Sequence, residues 1–105
     1  MHNRYVLRVT SGRDAGTVFD LLDDRLVVGR SNVGAVDIPI DEIFAAPRHF
    51  EIRWDAAREI HLVEGWGHPN PVYLNGTALK AQCPECLRAG DEIRLGSTVF
   101  MYDRS

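Results

Sequence analysis

A chain of 105 residues has the length of one domain, and a single domain over residues 1–105 is expected. Its 45% hydrophobic and 26% charged residues are the balance of an ordinary globular protein, and no apolar run approaches the roughly 20 residues of a spanning helix. The net charge of −3 offers nothing for nucleic acid or an anionic membrane to hold by bulk charge, so neither is expected as a partner. The opening Met1-His2-Asn3-Arg4 leads into a strand-like run and not a signal peptide, which predicts a cytoplasmic protein.

The dominant signal is alternation of period two. Tyr5, Leu7 and Val9 alternate with Val6, Arg8 and Thr10; Phe50, Ile52 and Trp54 alternate with Glu51, Arg53 and Asp55; Ile93 and Leu95 flank Arg94. Such a pattern sets one face of a strand on a core and the other in water. Turn signals separate the runs, among them Ser11-Gly12-Arg13-Asp14, Leu22-Asp23-Asp24 and Ala89-Gly90-Asp91. Asn75-Gly76 marks a tight hairpin, because both residues tolerate positive φ. Strands are therefore predicted near 4–10, 16–22, 26–30, 36–40, 49–55, 59–64, 71–74, 77–81, 91–95 and 98–103. Residues 48–62 also fit a helix with Phe50 and Trp54 on one face, but the clean alternation favours two strands and a turn at Asp55. Short strands at this spacing predict an all-β sandwich or barrel.

Motifs for catalysis are missing. There is no G-x-S-x-G, no H-E-x-x-H and no glycine-rich phosphate loop, so no enzyme activity and no cofactor is expected. Cys83 and Cys86 form one C-x-x-C pair without the second pair that a zinc site normally needs, and no βαβ pattern supports a redox motif. They read as reduced thiols in a turn around Pro84 and Glu85, with no metal. Three loops have unusual content: the one after Val28-Gly29-Arg30, the one from Asp41 to Arg48, and Gly65-Trp66-Gly67-His68-Pro69-Asn70. Loops held at one end of a rigid sandwich are where binding residues collect.

In order, the chain carries Val28-Gly29-Arg30, Asp37-Ile38, Arg48-His49-Phe50-Glu51-Ile52, Asn70, Asn75-Gly76 and Leu87-Arg88-Ala89-Gly90-Asp91-Glu92-Ile93-Arg94-Leu95-Gly96, with Phe100 after it. This series resembles the forkhead-associated domain, over nearly the whole chain from Tyr5 to Tyr102. The resemblance implies a twisted β-sandwich of about eleven strands, similar to SMAD folds, that binds phosphothreonine peptides on loops at one end. It implies that Arg30 contacts the phosphopeptide, that His49 braces the binding loops, and that Asn70 holds the peptide main chain. Gly29, Asn75 and Gly76 match family positions that support the loops. One departure stands out: where the family has a serine that bonds the phosphate, this chain has Ala46, followed by Pro47, which lacks a backbone N–H.

A phosphate dianion requires several charge-assisted donors. Arg30 and Arg48 supply cations, Ser31 a hydroxyl and His68 a switchable donor, so an anion site is conceivable without the serine. Each also has a plainer reading. Arg30 is an ordinary surface arginine, Arg48 pairs with Glu51, Asn70 makes a turn among prolines, and Trp66 either contacts a partner or caps the core. The expectation is a protein–protein interaction module with a weakened phosphate site, its partner a protein or phosphopeptide. The alternative is a phosphate-independent interaction domain on the same scaffold. Oligomeric state is not legible from these residues.

Overall fold

The alternating runs form strands wherever one side meets a common core. A computed structural model describes residues 4–30 and 36–105. It contains β1 (Tyr5–Ser11), β2 (Val18–Asp20), β3 (Arg25–Arg30), β4 (Ile38–Ile40), β5 (Phe50–Asp55) and β6 (Ile60–Gly65). These are followed by β7 (Tyr73–Leu74), β8 (Thr77–Ala78), β9 (Glu85–Cys86), β10 (Glu92–Leu95) and β11 (Thr98–Arg104), with no helix among the described residues. The strands make two sheets, ordered β2-β1-β11-β10-β7-β8 and β4-β3-β5-β6-β9. The expected all-β sandwich of about eleven strands is what the chain forms, and the stretch 48–62 is two strands joined at an Asp55 turn, with the Asp55 carboxylate accepting from the Ala57 and Arg58 amides.

The core lies between the sheets. Leu7, Val9, Val28, Ile52, Ile93 and Phe100 are among its fully buried members. Phe50 and Phe100 meet edge to face across it, ring centroids 6.1 Å apart, a favoured aromatic geometry. Polar groups also enter the interior: the Tyr102 hydroxyl and His61 Nδ1 lie 2.7 Å apart, and burial holds the phenol well above its usual range.

Most of the ladder is antiparallel; β4 alone lies parallel to its neighbour β3. Its return is fixed by Asp37, whose carboxylate accepts from Val27 N–H at 2.8 Å while its own N–H donates to the Val27 carbonyl. The start of β1 and the end of β11 lie side by side, with Tyr5 opposite Arg104 and the Ser105 amide donating to the Arg4 carbonyl.

Two expectations change. Strand β9 was not predicted: Cys83 and Cys86 are free, exposed thiols, but Glu85 and Cys86 pair with Val63 and Leu62 of β6 instead of forming a turn. Two residues show no alternation, so only the partner strand defines them. Arg48 does not pair with Glu51, whose buried carboxylate is taken by Arg25 and Arg53.

The Asn75-Gly76 hairpin forms, with φ of 51° and 85°. Asn75 also reaches β10: its Oδ1 accepts from the Glu92 amide at 2.9 Å and its Nδ2 donates to Asp91 Oδ1 at 3.0 Å. Replacing Asn75 by alanine removes both bonds and places a Cβ-only residue at positive φ. We expect a loss of about 1–2 kcal/mol in urea unfolding, with the m-value unchanged.

Candidate functional site

The site is assembled from the end of β3 outward. Gly29 and Arg30 close β3, and a β-carbon on Gly29 would lie 2.0 Å from the Pro47 carbonyl oxygen. Only glycine lets the 41–48 loop come this close to the strand. The approach is closed by the Arg30 amide, which donates to the Ala46 carbonyl at 3.1 Å. The Arg30 side chain is exposed and makes no ion pair among the described residues. Ser31 lies outside the described residues.

His49 joins the second loop to the third. Its Nδ1 accepts the Ala46 N–H at 2.8 Å, and its Nε2 donates to the Asn70 carbonyl at 2.6 Å. These partners fix the neutral Nε2–H tautomer. Burial holds the imidazole below its usual value, opposed by the Asn70 carbonyl and aided by His68. His68 packs its ring 4.6 Å from that of His49 and donates from Nε2 to the Arg48 carbonyl at 2.9 Å. The exposed Arg48 guanidinium sits 5.7 Å above the half-buried Trp66 ring. The crevice beneath, walled by His49, Trp66, His68 and Pro71, encloses about 30 Å³, too little for a ligand side chain.

Asn70 is exposed, and its Nδ2 donates to the Phe44 carbonyl at 3.1 Å, leaving Oδ1 as the polar atom toward solvent. Arg30, Arg48, His49 and Asn70 thus come together at one end, linked through Gly29 and Ala46. Asn75 and Gly76 do not join them: their turn is pinned to the start of β10.

Glu42 has no mark in the sequence. It is 3% exposed, yet no cation pairs with it among the described residues. Its Oε1 accepts from Thr98 Oγ1 at 2.7 Å and from the Ser97 amide and hydroxyl at 3.2 and 3.1 Å; its Oε2 accepts from the Phe44 amide at 3.3 Å. Burial alone would raise its pKa, but the bonds from Thr98, Phe44 and Ser97 outweigh it and hold the carboxyl below its ordinary value. Glu42 fastens the 41–48 loop to the β10–β11 turn. Ile43 and Phe44, next along, stand 63% and 48% exposed, and these are large apolar groups on a loop that is otherwise tied down. Beside Phe44 a groove of about 280 Å³ runs along Pro71, Tyr73 and Arg94.

A rigid sandwich whose loops at one end present exposed arginine and apolar groups over a locked backbone is the build of a protein–protein interaction module. The FHA domain profile matches residues 26–96, and the chain belongs to that family. Among solved structures it is similar to the FHA domain of an Arabidopsis thaliana hypothetical protein, at 24% identity and TM-score 0.87, over 97% of this chain and 86% of that one. An FHA domain from a Chlamydia trachomatis protein matches at 24% identity and TM-score 0.83, over 97% and 98%. A third, from work on phosphothreonine-dependent FHA domain interactions, matches at 22% and 0.81, over 97% of both chains. No curated protein sequence matches the chain.

Proposed function

We propose that the domain recognises a phosphorylated segment of a protein partner, with Arg30 as the principal phosphate ligand, Arg48 as a second cation and Asn70 Oδ1 facing the peptide main chain. One observation carries this reading: Arg30 offers an exposed guanidinium that pairs with no acid among the described residues, on a backbone locked by Gly29 and Ala46. A planar fork held in place suits a phosphate. The family supports it, as does the likeness to a domain described as phosphothreonine-dependent. His49 is a brace and no ligand, since both its ring nitrogens bond within the protein. The reading includes no catalytic step.

Ala46 supplies no hydroxyl, so the phosphate site is a weakened one. Calorimetry with a phosphothreonine peptide and its unphosphorylated twin tests both points. Arg30→Ala is expected to abolish the difference between the two peptides. Ala46→Ser is expected to tighten the phosphorylated one by about 1.5–3 kcal/mol at most, roughly tenfold to a hundredfold. If wild type binds both peptides equally and Ala46→Ser changes nothing, a phosphate-independent mode holds. The exposure of Ile43 and Phe44 favours that second reading, because apolar side chains on a fixed loop bind a partner without needing phosphate.

A further inference from the structure

His49 bridges two loops at this end: one neutral ring accepts from a donor on the 41–48 loop, the Ala46 N–H, and donates to an acceptor on the 66–71 loop, the Asn70 carbonyl, at the same time. A neutral imidazole has one donor and one acceptor, whereas its protonated form has two donors. A proton on Nδ1 would face the Ala46 N–H, donor against donor. We propose that protonation of His49 gates this recognition site, closed and ordered when the ring is neutral and opened when it is charged. The gate rests on the reading that the loops at this end bind the partner.

The surroundings favour such a switch. His49 is 2% exposed, so water cannot replace the lost bond while the loops stay shut. Ala46, the loop position whose amide would lose its acceptor, also holds Arg30 in place through its carbonyl. The charged and titratable groups around the ring are cationic or can become so. The 66–71 loop brings His68 with its ring 4.6 Å away; Arg48 adjoins the ring in sequence with its guanidinium over Trp66, and Arg30 reaches the loop through its backbone amide. Of the two acids on the 41–48 loop, Glu42 is turned to Ser97, Thr98 and Phe44, and Asp41 pairs with Arg13. The other residues that line the crevice beside the ring, two glycines with Trp66, Asn70, Pro71, Val72 and Leu79, carry no charge. A second ring proton therefore meets repulsion and no carboxylate among the described residues. The depressed pKa of His49 agrees in sign. Stability and loop order from this group are complete above pH 6.5, the ordinary imidazole value, and are lost as pH falls through the folded-state midpoint.

Nuclear magnetic resonance on the free protein tests the gate without a ligand. The ring nitrogens of His49 should titrate below the usual imidazole value, and the Ala46 amide should shift along the His49 curve and not along that of His68. Binding of a phosphothreonine peptide is then measured across the same pH range, with the peptide's own phosphate protonation followed by phosphorus resonance and corrected. One pH unit below the His49 midpoint about one tenth of the molecules keep a neutral ring, so the corrected Kd should weaken about tenfold. By reciprocity, bound peptide should move the His49 midpoint lower still. The gate is overturned if the Ala46 amide stays put while His49 titrates, if the protein unfolds with His49 still neutral, or if the corrected Kd is flat across the midpoint. A peptide that binds at no pH defeats the phosphopeptide reading, and the Ala46 curve alone then decides whether His49 opens the loops.

Discussion

Replacing Gly29 by alanine is expected to lower the melting temperature by about 10–20 °C and to remove partner binding. The added carbon would sit 2.0 Å from the Pro47 carbonyl oxygen and 2.6 Å from its carbon, both backbone atoms that cannot rotate away. The 46–47 segment must retreat, taking with it the Arg30–Ala46 hydrogen bond and the amide that His49 accepts. Forcing a methyl into packed structure costs about 1–3 kcal/mol, and contact with main chain places this case at the upper end. For a domain of this size each 1 kcal/mol moves the midpoint by roughly 4–8 °C. Gly65 is the control. It lies at the same end on β6, but its added carbon would meet nothing closer than Leu79 at 3.8 Å, so Gly65→Ala should leave the melting curve nearly in place. Equal losses from both substitutions would show that the close approach at Gly29 is not what holds the loop.

Glu42→Ala should cost about 2–6 kcal/mol, since of its four donors at least the buried Thr98 hydroxyl and the Ser97 amide are left without an acceptor, at about 1–3 kcal/mol each. Glu42→Gln keeps the shape but turns an N–H toward one of those donors, and its loss should be smaller. The carboxylate also makes a signed prediction in acid. Its folded pKa lies below the ordinary 4.5, so its contribution is complete above that value and disappears as pH falls through the folded midpoint. Denaturant melts of wild type and Glu42→Gln from pH 7 to pH 3 should converge at the acid end. Parallel curves would exclude Glu42 as the source of the acid sensitivity.

The parts of this molecule that were legible in the sequence are those set by local periodicity or by a motif. Strands β1, β5 and β10 carry the alternation read from the sequence and form within a residue or so of where it places them, and the Asn75-Gly76 turn follows from two residues that accept positive φ. The approach of Arg30, His49 and Asn70 to one another follows from the family order. Strand β9 was not legible, because a two-residue strand has no period and exists only through Leu62 and Val63. Glu42 was hidden for a related reason: three of its four bonds reach residues more than fifty positions away, on the β10–β11 turn. The direction of the Asn70 amide, inward to Phe44, is likewise a property of two loops meeting and of neither alone.

The pairing of Tyr5 with Arg104 has a practical consequence for how the domain can be handled. β11 leaves the Gly96-Ser97 turn beside Glu42 and runs the length of the sandwich, so the first and last strands finish side by side at the pole away from Arg30 and Asn70. A tether, a fluorophore or a fused protein added at either terminus emerges there. The domain can be fixed to a sensor surface by either end with the loops of Arg30 and Asn70 pointing into solution. A short linker between Arg4 and Ser105, already joined by a hydrogen bond, would close the chain into a ring whose new ends can be opened elsewhere on that same distant pole.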